Sequence, residues 1–97
     1  MLDLKKVDEN AAGTATATLG ISGVQAQSRA GTGSDGEDIL EITLVLPSGT
    51  ERELEGDKPL KTLVQISRGL RSNHEDRFPV LIWRMEDELA VDVDPQP

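Results

Sequence analysis

The residues with the greatest capacity for chemistry are one histidine and its two acidic neighbours. His74, Glu75 and Asp76 follow one another directly in a polar stretch of the chain. General acid–base catalysis needs a histidine with a positioned partner inside a pocket, and a metal site needs several ligands around one point. Three adjacent residues meet neither requirement, and the serines have no base at a recognisable spacing. We therefore expect no catalytic residue, no metal ligand and no cofactor.

Two other segments have some features of ligand-binding loops. The segment Asp35-Gly36-Glu37-Asp38 is acidic but lacks the full ligand spacing of a calcium-binding hand. The glycines of Gly31-x-Gly33 neither precede a helix nor accompany a lysine, as a phosphate-binding loop requires. We therefore expect no calcium site in the first segment, and we expect residues 31–36 to be a flexible linker. The chain has no cysteine, which excludes disulfides, thiol catalysis and thiolate zinc sites.

Composition and charge restrict the class of partner. The 97 residues include 18 acidic and 10 basic side chains, a net charge of −8, with one Trp, one Phe and no Tyr. A nucleic-acid-binding protein needs a basic surface and usually aromatic platforms, so direct nucleic-acid binding is not expected. No apolar run approaches the roughly 20 residues of a membrane span, and the start MLDLKKVDEN does not resemble a signal peptide. We expect a soluble cytoplasmic domain without membrane contact.

The first third of the chain consists mostly of small residues. Of the 24 residues in 11–34, 18 are Ala, Gly, Ser or Thr. Small side chains bury too little area to offset the conformational entropy lost on folding. Residues 1–36 are therefore predicted to be a flexible arm and linker. The alternative is an added edge strand or hairpin, because Thr14, Thr16 and Thr18 alternate with alanines.

A hairpin is predicted from residue 39 onward. Residues 39–46 alternate apolar and mixed positions, which is typical of a strand with one buried face. Pro47-Ser48-Gly49 then supplies a turn, and residues 50–55 form the return strand. The outward side of that return strand carries Glu51, Glu53 and Glu55.

A helix and two further strands complete the predicted core. Asp57 is a suitable N-cap, Pro59 suits the first turn, and Gly69 is expected to end the helix early. Its outward face carries Lys61, Gln65 and Arg68. Residues 78–85 are apolar on both faces and are predicted to be a central strand. A turn at Glu86-Asp87-Glu88 precedes a last strand with Leu89, Val91 and Val93 inward, and residues 95–97 form a tail.

The predicted fold is α+β. Residues 37–94 form the core domain: a small mixed sheet in the order strand–strand–helix–strand–strand, with one helix packed across it. Residues 1–36 lie outside that domain as the arm.

The predicted hairpin resembles that of a known family. The run from Glu41 to Leu54, with its turn Leu46-Pro47-Ser48-Gly49 and a following helix, looks like the opening of ubiquitin-like β-grasp domains. It is closest to the TGS and sulfur-carrier branches, whose first hairpin often turns through Leu-Pro-x-Gly. The resemblance implies a mixed sheet with the helix across it, and a binding role for the exposed sheet face.

The sequence also departs from that family. Ubiquitin-like modifiers and sulfur carriers end in Gly-Gly, whereas this chain ends Asp94-Pro95-Gln96-Pro97, so neither conjugation nor sulfur transfer is inferred. TGS domains usually sit within nucleotide-binding proteins, and this chain has no segment resembling a phosphate-binding loop.

Three functional hypotheses remain. The first is a non-catalytic adaptor or inhibitor that binds a protein partner through its sheet face and charged rim. The second is an acidic mimic of nucleic acid, because glutamates on alternate positions of a strand repeat every 6.6 Å or so, close to the phosphate spacing. The third is an oligomeric assembly protein in which the arm orders by strand exchange. The candidate partner-binding residues are Glu51, Glu53, Glu55, Lys61, Arg68, Trp83, Glu86, Asp87 and Glu88.

Each of these residues also has a purely structural interpretation. Trp83 lies in an apolar run, where a core position is the alternative to an interface. Lys61 and Arg68 suit a solvated helix face as well as a docking site. The glutamates suit the protection of an edge strand from unwanted pairing as well as recognition.

Overall fold

The described part of the chain folds into a three-stranded mixed sheet with two helices on one face. The computed structural model describes residues 2–87. In chain order they form α1 (Leu4–Leu19), β1 (Gln25–Thr32), β2 (Asp38–Leu46), a 3-10 helix (Glu51–Leu54), α2 (Lys58–Ser72) and β3 (Phe78–Met85). The sheet order is β1-β2-β3, with β1 antiparallel and β3 parallel to β2. The α+β class predicted from the sequence is confirmed, whereas the order of elements differs from the prediction.

The prediction of a flexible arm is wrong for α1. Val7, Ala11, Ala15 and Leu19 recur every four residues, form one stripe of the helix and are buried. Alanines on this stripe allow the helix backbone to approach the sheet closely, so small side chains still exclude water from the core. The carboxylate of Asp3 caps the helix start by accepting from the Lys6 amide at 2.9 Å.

The second part of the predicted arm is strand β1, which forms a hairpin with β2. Ser28 lies opposite Ile42, and Thr32 lies opposite Asp38. The glycine-rich segment predicted to be a linker is the hairpin turn, where Gly36 has a φ of 84° that a side chain would disfavour. The alternative prediction of an edge strand or hairpin is wrong at Thr14, Thr16 and Thr18, which belong to α1, and the strand that follows, β1, contains none of them.

The predicted return strand is wrong. Residues 51–54 form a 3-10 helix, and β2 pairs with β1 instead. Consecutive charged residues have low strand propensity, and this segment must redirect the chain from the end of β2 into α2. The Thr50 hydroxyl donates to the Pro47 carbonyl at 2.7 Å and stabilises the bend.

The helix predicted after Asp57 is confirmed as α2, but it continues past Gly69 to Ser72. A Cβ on Gly69 would lie 2.8 Å from Asn10 Oδ1 of α1, so this glycine permits the close approach of the two helices. The side chain of Asn73 donates to the Gly69 carbonyl at 2.8 Å near the helix end.

Strand β3 has the residues predicted for a central strand, but it is the outer strand of the sheet that residues 2–87 form. Among residues 2–87, β3 pairs only with β2, so β2 is the central strand. The predicted last strand, residues 89–93, and the tail, residues 95–97, lie outside the described residues. Pro79 is the second residue of β3, near the strand start as expected.

Candidate protein-interaction surface

The two faces of the sheet differ in how they are covered. Successive side chains of a strand point to opposite faces, and on one face Leu40, Ile42, Leu44 and Leu46 are fully buried in a cluster with residues of α1 and α2. No described element packs on the other face, which we call the open face. The open face comprises Gln25, Gln27, Arg29 and Gly31 of β1, Ile39, Glu41, Thr43 and Val45 of β2, and Phe78, Val80, Ile82 and Arg84 of β3.

The strand register arranges the open face in four rows. Each row contains one residue from every strand: Gly31–Ile39–Phe78, Arg29–Glu41–Val80, Gln27–Thr43–Ile82 and Gln25–Val45–Arg84. On this face the residues of β1 are polar apart from Gly31, those of β2 are mixed, and those of β3 are apolar except for Arg84. We call the β1 residues the polar column. We call Phe78, Val80 and Ile82 the apolar column. The face therefore has an apolar side and a polar side.

The apolar side is accessible to solvent. Phe78 is 59% exposed and Val80 is 36% exposed, while Ile39 and Ile82 are half-buried. Val45 is only 7% exposed yet lies outside the main core cluster, and Asp8, Glu9 and Ala12 of α1 line a cavity with it.

The polar side contains an ion pair and an open groove. Arg29 Nε donates to Glu41 Oε1 at 2.8 Å, and these side chains are 77% and 27% exposed. A groove of about 570 Å³ extends from this pair across Thr43 to Arg84. It offers a contacting molecule guanidinium, carboxylate, hydroxyl and amide groups beside the apolar column.

The β1 side of this surface is fixed by α1. The Ser28 hydroxyl lies within hydrogen-bonding distance of the Leu4 carbonyl and of an Asp8 carboxylate oxygen. These contacts join the first two turns of α1 to the centre of β1. The edge of the open face is thereby held in place from beneath.

The start of β3 is fixed by a buried ion pair. Arg77 Nε and Nη2 each donate to one carboxylate oxygen of Glu75 at 2.9 Å, and the side chains of Glu75 and Arg77 are 0% and 9% exposed. The Leu2 amide donates to Glu75 at 2.9 Å, and Arg77 donates to the Leu2 carbonyl at 2.8 Å. We call this set of hydrogen bonds among Leu2, Glu75 and Arg77 the Glu75–Arg77 clamp.

The clamp changes the acidity of its members. The hydrogen bonds from the Arg77 side chain lower the pKa of Glu75 to about 2, against the opposing effect of burial, and backbone donors add to the lowering. The hydrogen bonds to Glu75 in turn raise the pKa of Arg77. Both groups stay charged at neutral pH, and Phe78, the first residue of the apolar column, follows directly.

The acidic residues predicted to bind a partner do not lie on a strand. Glu51 and Glu53 belong to the 3-10 helix, Glu55 follows it, and Glu53 is paired with Lys58 at 2.7 Å. The regular spacing expected for phosphate mimicry is therefore not present at these residues. Lys61 of α2 is paired with Asp57 at 3.5 Å, so part of the predicted basic face is neutralised.

The remaining predicted residues are scattered. Arg68 is exposed on α2, and Glu86 and Asp87 are exposed directly after β3. Trp83 is half-buried on the covered face and packs against the core, as its structural interpretation expected. Glu88 lies outside the described residues. The structure does not bring the eight predicted residues within its described range onto one surface.

The apolar column of the open face is absent from the residues that the sequence predicted to bind a partner. Phe78, Val80 and Ile82 occupy alternate positions of the run that was interpreted as a central strand. Their spacing was the available signal, because period two places them together on one face. The assumption that both faces of this strand were covered hid that signal.

Other chemistry is not assembled in the part of the chain that the structure describes. His74 is exposed and has a φ of 62°, a left-handed conformation in the turn before Glu75. Residues 2–87 contain no group of three or more potential metal ligands. No helix in this range has the length and apolar character needed to cross a membrane.

Comparison with known proteins gives no match: no protein-family model, curated protein or solved structure matches this chain. The function of the open face has to be inferred from its own geometry and chemistry. Those are an apolar column and, beside it, a polar column.

Proposed function

We propose that this chain is a small non-catalytic protein-interaction module, an adaptor or inhibitor that binds a protein partner through the open face of its sheet. The observation that carries the proposal is the alignment of Phe78, Val80 and Ile82 on a sheet face that no described element covers. Contiguous exposed apolar residues with a polar rim are typical of protein-interaction sites. Aromatic and arginine side chains, here Phe78 and Arg84, are enriched in such interfaces.

The size of the open face indicates a contact of modest strength. Three strands about 4.8 Å apart and eight residues rising about 3.3 Å each give a face of roughly 14 by 26 Å. The area of this face, about 360 Å², is smaller than the roughly 800 Å² that each partner buries in a standard interface. The proposed partner therefore binds transiently or extends its contact onto an adjacent surface.

The resemblance to ubiquitin-like β-grasp domains is part of this proposal. A hairpin, a helix and a parallel strand follow one another from β1 to β3, in a mixed sheet, which supports it. The supporting hairpin is β1–β2, however, and Pro47-Ser48-Gly49 leads into the 3-10 helix instead of a return strand. A binding role for the exposed sheet face is common to both interpretations.

The two alternative functions have less support. The acidic-mimic hypothesis relied on glutamates spaced along a strand, and residues 51–54 are helical. The assembly hypothesis relied on an arm that orders only by strand exchange, and α1 and β1 pack onto the sheet of their own chain.

Site-specific photocrosslinking in cells of the source organism tests the proposed function. A photoreactive amino acid at Thr43, the centre of the open face, is expected to capture one or a few specific proteins. The matched control is the same amino acid at Gln65, an exposed residue of α2. Thr43→Arg, which places a bulky cation on the face, should abolish co-purification of the captured protein. Equal capture of the same proteins from positions 43 and 65 would contradict the proposal.

A further inference from the structure

The open face continues at one end into a cleft. The area of the face, about 360 Å², is less than half of what each partner buries in a standard interface, so a partner gains from contact beyond it. Phe78, the first residue of the apolar column, is 59% exposed. It also lines a cleft of about 370 Å³ at that end of the sheet. We call this cavity the Phe78 cleft.

The Phe78 cleft lies where two turns of the chain meet. Strands β2 and β3 are parallel and begin side by side, with Ile39 opposite Phe78. Residues at or just before the starts of these two strands form the walls. One wall consists of Glu37 and Asp38, and the other includes His74, Asp76 and Arg77.

The Phe78 cleft is negatively charged. Arg77 is neutralised by Glu75, which lies beside it in the clamp. The side chains of Glu37, Asp38 and Asp76 are exposed, and none of them forms an ion pair with another described residue. Three negative charges therefore surround an exposed aromatic side chain.

This combination of groups suits an organic cation. A guanidinium or ammonium group is attracted to the face of an aromatic ring, and opposite charges around the ring strengthen the attraction. The carboxylates are not arranged to hold one metal ion, since residues 2–87 contain no group of three or more suitable ligands. An arginine side chain fits better, because its planar guanidinium stacks on aromatic rings and spreads five donors over several atoms.

We propose that the Phe78 cleft receives an arginine side chain of the protein partner that covers the open face. This inference rests on the proposed function and names the chemistry of the partner's contact. The guanidinium lies against the ring of Phe78, among the three exposed carboxylates. An apolar residue next to this arginine packs on Val80 and Ile82, so that one segment of the partner contacts both the cleft and the apolar column.

Two other occupants of the cleft are less suitable because of their charge. Residues 88–97 contain Glu88, Asp92 and Asp94 and no basic side chain. A second copy of the chain has the same net charge of −8. Either occupant would bring further negative charge to an acidic cleft, and like charges in contact are unfavourable.

A nuclear magnetic resonance titration of the full chain tests the proposal. The probe is the peptide acetyl-Leu-Arg-Leu-amide, and its control is the same peptide with uncharged citrulline in place of arginine. We expect saturable shifts of the amide signals of residues 37–38 and 74–78 with the arginine peptide, and at least threefold weaker binding of the citrulline peptide. Binding should also weaken as salt increases, because exposed charges are screened.

A matched pair of variants separates the cleft from general electrostatic attraction. Asp76→Asn should weaken binding of the arginine peptide about threefold, the effect of one exposed ion pair. Glu55→Gln removes the same charge from an exposed residue at the other end of α2 and should leave binding unchanged. Phe78→Leu, which keeps an apolar side chain but removes the ring, should also weaken binding.

Several outcomes would overturn the proposal. They are the absence of saturable shifts, equal affinity for the two peptides, equal affinity of the Asp76→Asn and Glu55→Gln variants, and full affinity of Phe78→Leu. Displacement of the peptide by an equal concentration of calcium chloride would indicate a metal site instead. Nuclear Overhauser contacts of Phe78 with residues 88–97, or with a second copy, would show that one of these fills the cleft.

Failure of this inference can be distinguished from failure of the proposed function. The photocrosslinking experiment at position 43, repeated with Asp76→Asn, reports on the open face alone. Unchanged capture would leave the proposed function intact and overturn only the assignment of arginine to the Phe78 cleft. Reduced capture of the same protein would support both.

Discussion

Successive side chains of β2 point to opposite faces of the sheet, and the two sets of side chains have different roles. Leu40, Ile42 and Leu44 are fully buried beneath the helices, while Glu41 and Thr43 between them are half-buried on the open face. The covered face stabilises the fold through apolar burial, and the open face retains polar groups and apolar contact area. The difference shows that one strand can specify the core and supply a binding surface at the same time.

Two ion pairs of this molecule differ in burial, as the two faces of β2 do. The Glu75–Arg77 pair and the Arg29–Glu41 pair have nearly equal N–O distances, 2.9 and 2.8 Å. The first pair is almost fully buried, and the second is largely exposed on its arginine side. Burial, and not distance, therefore determines how strongly the loss of one partner affects stability.

Glu75→Gln should produce the largest effect. The substitution leaves the Arg77 guanidinium buried without its counter-charge, which typically costs about 3–5 kcal/mol. Urea unfolding at pH 7 measures this loss of free energy of unfolding. A change below about 1 kcal/mol, as is usual for an exposed pair, would show that the buried and exposed pairs do not differ.

The second-largest effect should be the pH dependence of stability that arises from the buried Glu75–Arg77 pair. The pKa of Glu75 is about 2 in the fold and 4.5 ordinarily, so its charged form stabilises the fold fully above pH 4.5. This contribution, about 3 kcal/mol, is lost as the pH falls from 4.5 toward 2. The difference in unfolding free energy between the wild type and Glu75→Gln should shrink over that range. A constant difference would exclude titration of Glu75 as the cause.

A matched pair of Ile→Val substitutions compares the two faces of β2 directly. Ile42→Val removes one buried methylene and should cost about 0.5–1.5 kcal/mol. Ile39→Val removes the same group from the half-buried open face and should cost less than half as much, because water already reaches the site. Chemical denaturation of both variants under one condition gives the comparison, and equal costs would mean that the open face is covered in solution.

The smallest expected effect is that of Glu41→Gln on the open face. Exposed ion pairs contribute about 0–1 kcal/mol, and salt screens them. Unfolding free energies at low and high salt should differ little between the wild type and this variant, with any difference declining as salt increases. A salt-independent loss above about 2 kcal/mol would place Glu41 in a structural role.

The sequence predicts the strongly periodic parts of this fold. Alternation of Leu40, Ile42, Leu44 and Leu46 identifies β2, and the apolar spacing after Asp57 identifies α2. The helix α1 was missed because its buried stripe is partly alanine, and a composition of small residues also describes a flexible linker. The return strand after Gly49 was predicted from turn chemistry, yet a tertiary factor, the pairing of β2 with β1, determined the outcome.

The candidate surface was predictable only in part. The apolar run at residues 78–85 was predicted to be a strand, and β3 has these bounds. The sequence does not determine sheet order, so it could not show that β2 is the middle strand of the described sheet or which side chains of β3 face away from the helices. Glu51 and Glu53 illustrate the reverse case, in which the charge pattern was correct and the backbone conformation assumed for it was not.

The Glu75–Arg77 clamp has a consequence for the order of folding. It joins Leu2 to Glu75 across 73 positions of the chain, and closing a loop of that length costs about 4 kcal/mol of chain entropy. The β1–β2 hairpin and the β2–α2–β3 unit have shorter loops to close, so we expect them to form before the clamp. A contact made after the rate-limiting step slows unfolding without accelerating folding. We therefore expect the clamp to lower the unfolding rate and so to extend the lifetime of the native state.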